Sequence, residues 1–219
     1  MTSFVDRVAP PHLGRGFRQL LGSAYAANIG DGIALAAGPL LVASQTSNAF
    51  LVALAALLQR APWLLLGLYA GAIADRVDRK RLMVAADLAR VLVLGVLVAF
   101  IATGHVSVAV VLAAMLLLGI AEVFVDTTSQ TLLPMLVRSD DLGVGNARMQ
   151  GAHLLANQII GPPLGAFLFA AGMAWPFAAQ AVLLLAAAVM IWRIAMPAVV
   201  RDVEDTHILR DIREGLGWV

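Results

Sequence analysis

Long uncharged runs broken by short polar segments dominate the chain. Six of these runs, residues 17–43, 49–74, 82–103, 106–127, 149–172 and 174–196, reach the length of about 20 largely apolar residues that a helix needs to cross hydrocarbon. The breaks are "SQTSN" (44–48), a knot of charge at 75–81, "TGHVS" (103–107), "RSDDLGVGNAR" (138–148) and "AGMAW" (171–175). None of the runs shows the period-two alternation of a membrane barrel strand. The pattern predicts an all-α, polytopic membrane protein with six transmembrane helices. The run from Phe17 is too long for a cleaved signal sequence and no small-residue cleavage site follows it, so it is expected to stay as the first helix.

Composition sharpens this picture. Hydrophobic residues make up 61% of the 219 and charged residues 13%, against about 25% charged in soluble domains. The absence of cysteine removes disulfides and thiolate metal sites, and a net charge of +1 gives no footprint for nucleic acid. The distribution of charge says more than its sum. With the N-terminus in the cytoplasm, Arg7, Arg15, Arg18, Arg76, Arg79, Lys80, Arg81, Arg138, Arg148, Arg193, Arg201, Arg210 and Arg213 all fall inside. The other two basic residues, Arg60 and Arg90, fall within helices. By the positive-inside rule, both termini are expected in the cytoplasm.

The charged knot has an order as well as a sign. Gly71, Asp75, Arg76, Arg79, Lys80 and Arg81, with Ile73 and Asp78 between them, resemble the G-x-L-A-D-R-x-G-R-K-R loop motif of the major facilitator superfamily. An Asp at the end of helix two and arginines in the turn can pair with each other and with a neighbouring helix end. Such pairs latch one packing of the bundle. "NQIIGPPLGAF" (157–167) is similar to the fifth-helix G-x-x-x-G-P-x-x-G-G motif of that family's antiporters, with Gly161, Pro162 and Gly165 in place. "LLPMLV" (132–137) and "NARMQGAHLLANQIIGPPLG" (146–165) resemble the branch containing the enterobactin exporter and macrolide efflux proteins.

The resemblance implies the N-terminal six-helix half of a major facilitator fold in the bacterial inner (cell) membrane. It divides the chain into a cytoplasmic N-terminus (1–16), a bundle (17–196) and a linker (197–219). It implies a secondary active transporter, a proton-coupled exporter of amphipathic small molecules such as drugs, macrolides or siderophores. The linker contains "HILRDIREGLGWV", amphipathic by period, and ends where the family's seventh helix is expected. The alternative is a truncated, nontransporting half or a membrane interaction protein that needs a partner. The partners expected are a small-molecule substrate, protons, lipid, and either a second copy in a homodimer or a missing C-terminal half. No cofactor and no metal are expected, since the four His are scattered. A membrane enzyme is the third class, and no acid or His cluster has catalytic spacing.

Charges inside helices are expensive and so are informative. Asp31 lies about 21 Å along helix one from Phe17, and Arg60 about 22 Å along helix two from Asp75, at 1.5 Å per residue. Equal depth predicts an Asp31–Arg60 pair, either holding the hairpin or serving proton exchange at Asp31, with Asn28 one turn inward. Asp87 and Arg90, one turn apart near the loop, are expected to extend the latch. Glu122 and Asp126, at i and i+4 near the expected cytoplasmic end of helix four, repel and call for a partner, Arg148 or a loop arginine. Gln150, His153, Asn157, Gly161 and Gly165 form one polar, small stripe on helix five that faces protein or water. His153 and Asn157 thereby join Asp31, Asn28 and Arg60 as candidates for the proton-coupling and substrate cavity.

Overall fold

A computed structural model describes residues 10–195, and the amphipathic linker and Arg7, Arg201, Arg210 and Arg213 lie outside them. Among the described residues there are helices and no strands. A short 3-10 turn, Pro11–Leu13, leads into α1 (Gly14–Gln45), followed by α2 (Ala49–Arg76), α3 (Arg79–Ala102) and α4 (Val108–Leu136). The fifth rod, α5, runs as Leu142–Ala152, a π-helical stretch His153–Ile160, and Gly161–Ala171; α6 is Trp175–Trp192. All six are long and apolar enough to cross a membrane.

Two boundaries depart from the sequence expectation. Helix α4 continues nine residues beyond 127, to Leu136, through a run of Thr, Ser and Gln that reads as an end. The helix accommodates those hydroxyls by returning them to its own carbonyls, as Thr131 Oγ1 does to Thr128 O at 2.9 Å. Glu122 and Asp126 therefore sit well inside the helix, Asp126 about 15 Å from its end at 1.5 Å per residue. Helix α5 starts earlier than expected and contains wide turns ahead of Pro162 and Pro163. Neither proline can donate a hydrogen bond to the carbonyl four residues back, Gln158 or Ile159, and each ring crowds that carbonyl.

Short breaks set the turns. Asn48 caps α2 by accepting from Phe50 N, and Ser107 caps α4. Asp78 stands where the loop motif has Gly, and its φ of −65° needs no glycine. It is the N-cap of α3, its carboxylate accepting Arg81 N at 2.9 Å. Asp78→Ala is expected to cost about 1 kcal/mol of stability, read as a lowered unfolding midpoint, with Asp78→Asn restoring most of it.

Packing pairs α2 with α4, α1 with α5 and α6, and α3 with α4 and α6. One apolar cluster joins Ala37, Leu41, Leu94, Met115, Leu118 and Phe177; a second joins Phe17, Leu20, Met83, Val125, Leu132 and Ile191. On α3, Asp87 and Arg90 fall between Met83 of one cluster and Leu94 of the other. A charged layer thus lies between two apolar ones.

Candidate functional site

The second cluster closes toward the basic end of the bundle, where the loop between α2 and α3 docks. Asp75 accepts Arg79 Nη2 at 3.1 Å, and Arg79 Nη1 reaches Met135 Sδ on α4 at 3.1 Å. Lys80 Nζ donates to the Ile194 carbonyl at 2.8 Å, beyond the end of α6, and sits 5.3 Å from the centre of the Trp192 ring. A cation there meets the unsatisfied carbonyl end of a helix. Gly71 faces Thr127 of α4 in ordinary contact. His12 and Asp141 approach to 3.8 Å at the same end.

Asp31 does not meet Arg60. Its Oδ1 accepts Arg90 Nη2 from α3 and, at 3.1 Å, Gln180 Nε2 from α6. Equal depth along two helices says nothing about azimuth, and Arg60 is turned outward into a cavity while Asp31 points into the bundle. Arg90 also donates from Nη1 to Asp87 at 3.4 Å, so one guanidinium serves two carboxylates. Asp87 and Arg90 are each 1% exposed and Asp31 is 9% exposed. The expectation that Asp87 and Arg90 reach the loop is thus corrected: both turn inward, because α3 packs that face on α4 and α6.

Glycines on either side of Asp31 admit its neighbours. A Cβ at Gly30 would lie 3.1 Å from Gln180 Cγ, and one at Gly32 would lie 2.5 Å from the Asn157 carbonyl oxygen. Gly161 answers Gly32: its own Cβ would fall 2.5 Å from Gly32 Cα. Gly165 packs on the Ile33 backbone. The antiporter-like stripe is therefore the surface on which α1 crosses α5, as small residues permit. Pro162 ends the π-helical stretch just at this crossing.

The cavity, about 810 Å³, opens between α1, α2, α4 and α5. Its polar wall carries Arg60, Asp87, Glu122, Asp126 and His153, and its apolar wall includes Leu57, Trp63, Leu64, Met149 and Ile191. Trp63 lines this cavity at mid-helix. His153 Nδ1 and Asn28 Oδ1 lie 2.9 Å apart on the wall. Asn157 is buried behind it, accepting Gln158 Nε2 at 2.7 Å. The cations acting most strongly on Glu122 and Asp126 are Arg90 and Arg60, in place of the expected Arg148 or a loop arginine. With α4 extended to Leu136, the two acids line the same cavity as Arg60 instead of lying at the helix end.

Sequence reasoning missed Gln180, the member of this site contributed by α6. The signal was present: it is the single amide in an otherwise apolar 18-residue helix, and a polar group inside a membrane helix marks a partner. Gln59 of α2, buried between Gly38 and Met115, was missed in the same way.

Six membrane-length helices packed around a charged cavity of this size define a polytopic membrane protein with a solute-sized binding space. The family model of the Major Facilitator Superfamily matches residues 14–214, and the chain belongs to that family of transporters. No curated protein matches it significantly.

Proposed function

We propose that the chain forms the six-helix unit of a secondary active transporter that exports amphipathic small molecules, drugs, macrolides or siderophores among them, in exchange for protons. The observation that carries this reading is the cavity wall: four titratable side chains, Asp87, Glu122, Asp126 and His153, share it with Arg60 and a large apolar surface. An amphipathic solute finds both a charged and an apolar contact there, and carboxylates can trade a proton for a bound solute. The antiporter-like crossing of α1 and α5 beside Asp31 supports exchange. The docked loop of Asp75, Arg76, Arg79, Lys80 and Arg81 supports a latch on one conformation. The basic end of the bundle supports a cytoplasmic placing of that end in a bacterial inner membrane.

A second wall for the pathway is also part of the proposal. Arg60, Gln130, Asn146 and Gln150 are exposed on the cavity side, at residues that a lipid surface would reject. A second copy of the chain or another six-helix unit is the occupant that satisfies them. Light scattering in detergent separates the two, since a mass near twice 23.0 kDa means a homodimer.

The test of export is uptake of a fluorescent amphiphile into inverted vesicles carrying the full chain under an imposed proton gradient. Asp31→Asn is expected to lower gradient-driven uptake at least tenfold while leaving folding intact, because Asp87 and Arg90 then remain as a neutral pair. Uptake that persists with the gradient collapsed, or in Asp31→Asn, overturns the proton-coupled reading.

A further inference from the structure

The last turns of α4 read "LLPML" (132–136), and Met135 brings the one sulfur into an otherwise aliphatic run. An unbranched thioether usually fills gaps in a core, and Met135 does pack against the cluster of Phe17, Val125 and Leu132. Its sulfur also has a charged neighbour. Arg79, the first residue of α3, donates from Nη1 to Met135 Sδ at 3.1 Å. A thioether is a weak acceptor, so this donor is poorly satisfied.

The same guanidinium is left wanting at a second atom. Its Nη2 reaches Asp75 at 3.1 Å, but the Nε hydrogen is buried without an acceptor. A buried donor left unmade is costly. Among the described residues, the hydrogen bonding of Arg79 to α4 thus consists of one weak acceptor beside one empty donor. A single oxygen on the sulfur supplies what both lack. Met135 is half-buried and the Arg79 side chain is 26% exposed, so a molecule as small as hydrogen peroxide has access.

We propose that Met135 is a peroxide-sensitive modification site, whose sulfoxide oxygen accepts from Arg79 and fastens the α2–α3 loop to α4. The sulfur lone pair attacks one peroxide oxygen, so that an S–O bond forms as the O–O bond breaks. The hydroxide released takes the proton from the transferred oxygen and leaves as water; sulfur is oxidised and the peroxide reduced. A methionine sulfoxide reductase returns the thioether.

The sign of the effect is what sets this site apart. A sulfoxide placed in an apolar cluster ordinarily loosens it, because a polar group is buried without a partner. Here the partner is already in place, cationic and short of an acceptor, and the flexible Met side chain can turn its oxygen toward it. Oxidation therefore tightens the loop instead of freeing it. That a tightened loop slows transport rests on the latch reading above; the Met135–Arg79 contact does not.

Hydrogen exchange of the full chain in lipid vesicles, read by mass spectrometry before and after dilute hydrogen peroxide, tests it. Peptide masses are expected to show oxygen added at Met135, and the amides of residues 77–82 to exchange about tenfold more slowly, as one hydrogen bond to a charged group implies. Met135→Leu keeps Met173 and Met190, which are 44% and 37% exposed, and should lose the response. Met135→Gln, whose amide oxygen stands in for the sulfoxide, should slow exchange without peroxide. Arg79→Lys keeps the charge but lacks the Nε hydrogen, and peroxide should no longer protect the loop. A Met135 that stays unoxidised, faster or unchanged exchange after oxidation, or an equal response in Met135→Leu overturns the site. If exchange slows as expected while vesicle uptake is unaffected, the sulfoxide contact stands and the latch reading falls.

Discussion

Arg90→Met is expected to destabilise the bundle by about 3–5 kcal/mol, the cost of breaking a buried ion pair from one side. The substitution leaves Asp31 and Asp87 facing each other with no cation between them, in a layer flanked by apolar clusters. Each also loses its guanidinium hydrogen-bond donor. The unfolding midpoint of the detergent-solubilised protein reads this. A triple variant, Arg90→Met with Asp31→Asn and Asp87→Asn, should recover much of the stability, because removing a whole buried charge set is often neutral. A single variant as stable as the parent would mean that Arg90 is not the cation holding this layer.

The second large effect comes from backbone contact. In an open helix, Gly→Ala stabilises by up to about 1 kcal/mol through lost chain entropy and better propensity. At Gly161 the sign is expected to reverse, because the added Cβ falls 2.5 Å from Gly32 Cα, and backbone cannot yield as a flexible side chain does. Overpacking of this kind costs about 1–3 kcal/mol. Gly95→Ala on α3, where nothing lies within 4 Å, provides the control and should be neutral or stabilising. Unfolding midpoints of the two variants should move in opposite directions. If Gly161→Ala matches Gly95→Ala, α1 and α5 do not cross at this point.

The crossing also shows how one short motif serves two ends. Gly161 and Gly165 bring α5 onto α1, and Pro162 and Pro163 loosen α5 immediately before the contact. The π-helical stretch, His153–Ile160, carries both His153 on the cavity wall and Asn157 at the crossing. A change in the cavity and a change in α1–α5 packing are thereby connected through one deformable segment, as wide turns often are at functional sites.

What the sequence determined by itself is what depends on period, run length and local chemistry. Six apolar runs separated by polar breaks specify six spanning helices, since backbone groups in lipid must bond within their own segment. The charged loop and the glycines of α5 were legible for the same reason: their roles depend on residue type at fixed spacing. The end of α4 was not, because Thr and Ser can either stop a helix or fold back on its carbonyls, and only packing decides which.

Partnership inside the bilayer belonged to the tertiary structure. The rise of a helix gives depth, and on depth alone Asp31 and Arg60 matched. Which way each side chain points depends on how α1, α2, α3 and α6 rotate against one another, and that rotation is set by contacts far apart in sequence. Gly30 and Gly32 let α6 and α5 close around Asp31, which turned it toward Arg90 and Gln180, while α2 faced Arg60 into the cavity. Residues 59 and 149 positions away, Arg90 and Gln180, became the partners of one carboxylate. A linear pattern holds no record of azimuth; close packing of six helices supplies it.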